Sequence, residues 1–141
     1  MPRRDRIHKH IKNALTNDDW TITADPYHIR FEDKTLEADM KADKFIAVTR
    51  QNISIVIEVK SFLQTSFIHE FLEACGQYQG YRILMGEMGE TNKLYMALGN
   101  DVYEREFSSA TVQLLIKRIG IHLLIVDTKE EVIVQWIEQN E

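Results

Sequence analysis

The chain has 141 residues, 44% hydrophobic and 28% charged, with six Gly, two Pro and one Cys, the size and composition of one folded domain spanning residues 1–141. Fibrous, low-complexity and disulfide-stapled classes are excluded, since Cys75 has no partner for an internal bridge and no Cys/His set at zinc spacing. A net charge of −5 argues against gripping nucleic acid with the whole surface, and no apolar run approaches the roughly 20 residues of a membrane span. A cytoplasmic protein with no membrane association is expected.

Along the chain, Ile7, Ile11, Ala14 and Leu15 recur at helical spacing, so residues 3–17 read as one amphipathic helix. Its first twelve residues carry Arg3, Arg4, Arg6, Lys9 and Lys12 against the single acid Asp5, the place where a polyanion would be met. Residues 20–23 read as extended, Asp25-Pro26 as punctuation, and residues 27–31 as a short strand followed by a second after Glu32-Asp33-Lys34. From Leu36 to Val59 the pattern is β, with residues 45–48 and 53–59 joined through Arg50-Gln51-Asn52 as a hairpin.

Thr65 or Ser66 then offers a helix cap, and Phe67, Ile68, Phe71, Leu72, Cys75 and Tyr78 predict the buried side of a helix running to about Leu84. A loop over 86–92, a strand over 93–98 and a helix over 109–119 stopped by Gly120 follow. Strands over 121–127 and 132–137 close the chain. This order predicts an α/β (α+β) fold, a mixed sheet flanked by helices.

Chemistry concentrates at one strand end. Along residues 53–60, Ile53, Ile55, Ile57 and Val59 point one way while Ser54, Val56, Glu58 and Lys60 point the other. Glu58 and Lys60 are thus opposite charges on one face at the end of an otherwise apolar strand, where a carboxylate needs a partner. A simple ion pair would satisfy them, and the same spacing recurs in Glu32-Asp33-Lys34, a solvated turn.

Asp39 and Asp43 lie upstream, and either can present a second carboxylate; being four residues apart, they are roughly 13 Å apart in an extended chain, so only one can sit beside Glu58. Two hard oxygen ligands with open positions suit Mg²⁺ or Mn²⁺, with Lys60 beside the attacking water. On the following helix Glu70, Glu73, Gln77 and Tyr81 fall in one stripe that can line the site or face solvent. Asp5 and His8, three residues apart on the first helix, are further acidic and imidazole candidates. His10, His28, His69 and His122 lack metal-site spacing, Cys75 reads as core, and Trp20 and Trp136 as packing anchors.

Asp39, Glu58-Val59-Lys60 and Gln77-Tyr78-Gln79-Gly80-Tyr81 resemble the PD-(D/E)XK nuclease superfamily, with the helix-borne Q-x-x-x-Y variant. More specifically, residues 20–26, Ile57-Glu58-Val59-Lys60-Ser61-Phe62, Gly76-Gln77-Tyr78 and residues 132–137 resemble the cyanobacterial XisH family, over nearly the whole chain. Ala38 stands where the superfamily pattern has Pro. The resemblance implies a restriction-endonuclease-like fold and a role in DNA rearrangement, as a factor controlling excision of the fdxN element together with a recombinase and an XisI-like partner protein. It assigns Asp39 and Glu58 to a metal ion, Lys60 to the attacking water, and Gln77 and Tyr81 to substrate support. Phosphodiester hydrolysis is the first expectation. A non-catalytic accessory factor that regulates a recombinase is the second, and a module working only inside a heteromeric complex the third. A homodimer is expected from need, because a small subunit with one site must act twice to sever a duplex.

Overall fold

The continuous apolar runs near 53–59, 93–99 and 122–127 become the inner strands of one sheet, buried on both faces. The computed structural model describes residues 6–139. Its elements in chain order are α1 (His8–Asn17), β1 (Thr21–Ala24), β2 (Tyr27–Phe31), β3 (Lys34–Ala38), β4 (Met40–Ile46), β5 (Gln51–Val59), α2 (Phe67–Glu87), β6 (Lys93–Gly99), α3 (Asn100–Glu106), α4 (Ala110–Ile119), β7 (His122–Asp127) and β8 (Val132–Ile137).

Six strands form a mixed sheet in the order β1-β4-β5-β6-β7-β8, and β2 with β3 forms a separate hairpin. The β4–β5 hairpin is antiparallel, with Met40 opposite Ile57. The pairs β5–β6 and β6–β7 are parallel, so each needs a crossover, supplied by α2 and by α3 with α4. The ladders of both edge strands are irregular, β1 between Ile22 and Ala24 and β8 opposite Ile125/Val126, where the register shifts, which blunts them against strand addition.

The alternation of β5 sorts its side chains into two cores. Ile55, Ile57 and Val59 join Ile11, Ala14 and Leu15 of α1, closed by Trp20 and Trp136 with ring centroids 5.6 Å apart. Val56 faces the other layer, where Phe71 and Tyr78 of α2, Val112 and Ile116 of α4 and Ile29 of the small hairpin meet. Phe62, Phe67, Phe71 and Phe107 pack ring on ring there, between 5.2 and 6.3 Å. Ser109 caps α4 through Val112 N–H, and Gly120 ends it at φ 80°, the left-handed conformation a helix stop of this kind requires. Among the described residues no helix is long and apolar enough to cross a membrane.

Several expectations change. The first helix begins at His8, with Arg6 and Ile7 in a turn, while Arg3, Arg4 and Asp5 lie outside the described residues. The hairpin turns at residues 47–50, earlier than the expected 50–52, and Val48 stands 96% exposed at its tip rather than within a strand. Ser66 occupies the cap position of α2 without a side-chain cap bond, and the helix continues to Glu87. Ile68 and Leu72, expected in the core, are 38% and 48% exposed. The seven-residue α3 is an addition to the expected elements, too short to show a helical stripe in the sequence.

Candidate active site at the end of strand β5

Asp39 occupies the bend between β3 and β4. Ala38 before it is buried in the α2-side core and Met40 after it in the α1-side core, so the chain changes layer at Asp39. Because Met40 pairs with Ile57, the bend lies beside the end of β5. Two backbone bonds lock the approach: Asp39 N–H donates to Glu58 Oε1 at 3.1 Å, and Val59 N–H donates to Asp39 Oδ2 at 2.7 Å. Lys60 Nζ is 3.6 Å from Glu58 Oε2, and Lys60 N–H donates to the Ala97 carbonyl at 2.9 Å, extending the pairing with β6. Beyond it, buried Phe62 adopts φ 55°, a left-handed conformation uncommon for an aromatic residue, held by Phe67, Phe71 and Phe107 as the chain turns away.

Asp43 takes no part. It pairs with Ser54, whose hydroxyl donates to its carboxylate at 2.6 Å, four residues up the strand from Glu58. The structure therefore brings Asp39, Glu58 and Lys60 together and leaves Asp43 on the hairpin.

His8 of α1 reaches across the sheet edge. Its Nδ1 lies 3.3 Å from Asp39 Oδ1 and its Nε2 3.2 Å from Asp25 Oδ2, while Lys12 Nζ donates to the same Asp25 oxygen at 2.8 Å. With a carboxylate facing each ring nitrogen, only the imidazolium donates to both, and the bond to Asp39 raises the His8 pKa against the opposing effect of burial. Burial disfavours the Asp25 charge, yet Lys12 and His8 outweigh it and hold its carboxyl below the ordinary range. In the sequence Asp25 carries only the signal of an Asp-Pro turn, with nothing local to mark it as a partner of His8 and Lys12. Lys12, counted among the basic residues of the amino-terminal segment, is thus turned inward to this acid; of the others, Arg6 and Lys9 stand exposed.

The two carboxylates are held in unequal states. Burial, then the Asp39 charge, pushes Glu58 up to about 8, with Lys60 opposing. Burial also acts against Asp39, but the His8 and Val59 hydrogen bonds prevail and keep its carboxyl below the usual range. The pair therefore carries one negative charge firmly and the second only at alkaline pH, unless a cation takes the place of the proton.

On α2, Gln77 Nε2 donates to Tyr81 Oη at 2.9 Å, and Tyr81 Oη donates to the Glu37 carbonyl at 2.9 Å. Burial, then the Glu58 charge, raises Tyr81 to about 12, so it stays a neutral phenol. Gln77 Oε1 is buried without a hydrogen-bond partner. Gln77 also lines an open depression of about 290 Å³ with Lys60, Gln64, Glu70, Glu73 and Ala74, and Glu70 is partly engaged by Gln64 N–H at 2.9 Å. The other histidines lie elsewhere: His10 on Glu131, His28 near Glu37, His69 exposed on α2, and His122 buried against Tyr95. Cys75 is buried, and its thiol is raised by burial to about 11.

The described residues form a mixed α/β domain, four helices about a six-stranded sheet, with two carboxylates and an amine gathered where a central strand ends. The XisH protein family model matches residues 1–134, and the chain belongs to the XisH family. Two crystal structures are similar. One is of an XisH family protein from Nostoc punctiforme PCC 73102, at 33% identity, TM-score 0.86, covering 95% of this chain and 100% of that one. The other is of an fdxN element excision controlling factor protein from Anabaena variabilis, at 34% identity, TM-score 0.85, covering 96% and 100%. No curated protein matches the chain.

Proposed function

We propose that this chain is a cytoplasmic factor controlling excision of a DNA element such as the fdxN element, through a PD-(D/E)XK-type, metal-dependent phosphodiesterase site on a restriction-endonuclease-like fold. The observation that carries this reading is the convergence of Asp39 and Glu58, locked by reciprocal backbone bonds, with Lys60 on the same face. Asp39 and Glu58 would hold Mg²⁺ or Mn²⁺, because two buried carboxylates that repel one another are stabilised by a hard cation and each oxygen keeps a lone pair beyond its present bond. When bound, the ion supplies Lewis-acid polarisation of the phosphodiester and a more acidic water. Among the described residues no three His, Cys, Asp or Glu side chains already form a metal cage.

The chain's own residues do the rest. Lys60, with its amine next to Glu58, orients the attacking water and neutralises charge developing on the phosphate oxygens. His8 fixes the Asp39 carboxylate from the α1 side. Gln77 and Tyr81, fastened to one another and to the Glu37 carbonyl, brace the substrate side of the depression.

Nicking of supercoiled plasmid, linear duplex and branched DNA with Mg²⁺ or Mn²⁺ tests this. Wild-type protein is expected to cut at least one of them, and Lys60→Ala to abolish cutting with its circular dichroism unchanged. One observation favours the second reading, an accessory factor regulating a recombinase with an XisI-like partner: the chain is acidic, and Lys12 is already neutralised by Asp25. In that case excision control survives Lys60→Ala.

A further inference from the structure

Many basic side chains of this acidic protein are already engaged by acids: Lys12, Lys41, Lys44, Lys60, Lys93 and Arg105 each have a carboxylate at 2.8 to 3.7 Å. Arg82, Lys117 and Arg118 differ. None has a carboxylate partner among the described residues, and all three line one open depression of about 290 Å³ with Gly120, His122 and Gln139. Arg82 crosses from α2 to the end of α4, where its Nη1 donates to the Gly120 carbonyl at 3.0 Å and its Nη2 to the Ile119 carbonyl at 2.8 Å. Its guanidinium also lies 5.2 Å from the centre of the Tyr78 ring. A guanidinium has five N–H donors, so donors remain after these two bonds, on a group whose orientation is already fixed. Lys117 and Arg118 stand exposed in the last turn of α4. The helix dipole favours basic residues there, but Arg82 arrives from another helix and already serves two carbonyls at that end. Arg82 and His122 also line an adjoining depression of about 220 Å³ that extends to Asn92 and Lys93. Glu90, which borders it, is held by Tyr27, Lys41 and Asn92.

We infer that this basic cleft holds the phosphodiester backbone of DNA, as a second anchoring point beside the site at β5. The inference rests on the reading that the protein acts on DNA, and not on whether it cuts it. Phosphate oxygens suit the donors present: a fixed guanidinium can bind two of them at once, and Lys117 and Arg118 add charge at the rim. Gln77 at the β5 site and Arg82 in the cleft are five residues apart on α2, about 8 Å along its axis, close enough for one nucleic acid to reach both. With a net charge of −5 the chain as a whole repels a polyanion, so a local group of unpaired cations decides where one is accepted. Contacts of this kind supply affinity and register without reading sequence.

Fluorescence anisotropy of a labelled DNA duplex of arbitrary sequence, titrated with the full chain over a salt series, tests this. Divalent metal is left out, so that cutting plays no part in the readout. Wild-type protein is expected to bind at low salt. Lys117→Ala combined with Arg118→Ala weakens binding on the order of tenfold and lowers the slope of log K against log salt by about 1 to 2, as lost phosphate contacts require. Both side chains are exposed, and circular dichroism confirms the fold. Lys117→Arg combined with Arg118→Lys keeps the charge and retains wild-type binding. Lys129→Glu changes net charge as much as the double alanine variant, at an exposed position beyond the far end of β7, and leaves affinity and slope unchanged. Wild-type protein that does not bind the duplex overturns the inference. So does a double alanine variant with wild-type affinity and slope, an equal loss in Lys129→Glu, or a double variant that loses affinity for inorganic phosphate alone. Binding that depends on the cleft without any nicking leaves the inference standing and removes the cutting reading, and nicking by a double variant that binds normally does the reverse.

Discussion

Replacing Glu58 by Gln isolates the energetic cost of the carboxylate pair. In the unfolded chain Glu58 releases its proton near 4.5, whereas in the fold burial and the neighbouring Asp39 charge hold that proton up to about 8. Between those values the native state binds more protons than the unfolded state. Its contribution to stability is therefore complete below pH 4.5 and is lost as pH rises through about 8. At about 1.4 kcal/mol per pH unit, the gap amounts to a cost on the order of a few kcal/mol at alkaline pH. Glutamine keeps an oxygen for the Asp39 N–H but has no proton to lose, so this component vanishes. His8, also raised, acts with the same sign: its stabilisation is full below 6.5 and fades as pH rises through its folded value, in both proteins. Urea unfolding of metal-free protein, followed by Trp20 and Trp136 fluorescence, measures the difference at several pH values. Glu58→Gln is expected to match wild type near pH 5 and to exceed it by a few kcal/mol near pH 9, to order of magnitude. A constant difference across that range would refute the account of the pair.

Mg²⁺ or Mn²⁺ at about 100 times its dissociation constant should stabilise wild type by about 2.7 kcal/mol in thermal unfolding. Asp39→Asn should lose that gain and Asp43→Asn should keep it, because Asp43 is held by Ser54 far from Glu58. Phe71→Ala, at a fully buried ring touching three other phenylalanines, should cost about 3–5 kcal/mol in urea unfolding, chiefly through the cavity left behind. Cys75, buried and raised to about 11, should resist an aromatic disulfide reagent in the native state at neutral pH and react fully once the chain is unfolded.

Local repetition makes much of this protein legible in its sequence. The period-two alternation of residues 53–60 placed Glu58 and Lys60 on one face, and the 3.6-residue period of residues 67–81 placed Gln77 beside Tyr81; both hold because they depend only on the geometry of one strand and one helix. Gly120 likewise announced its own helix stop. Whether Asp39 or Asp43 meets Glu58 is a question of hairpin register, settled by where the chain turns at residues 47–50 and by the pairing of Met40 with Ile57. The bridge from His8 to Asp39 and Asp25 joins α1, the β1–β2 connection and the β3–β4 bend, segments up to 31 residues apart that no pattern within any one of them relates. Ile68 and Leu72 fit a helix's apolar stripe as well as Phe71 and Cys75 do, and only the position of the sheet decided which of them it would cover. Periodicity constrains a residue relative to its own backbone, while contact between distant segments depends on the burial of the whole chain at once.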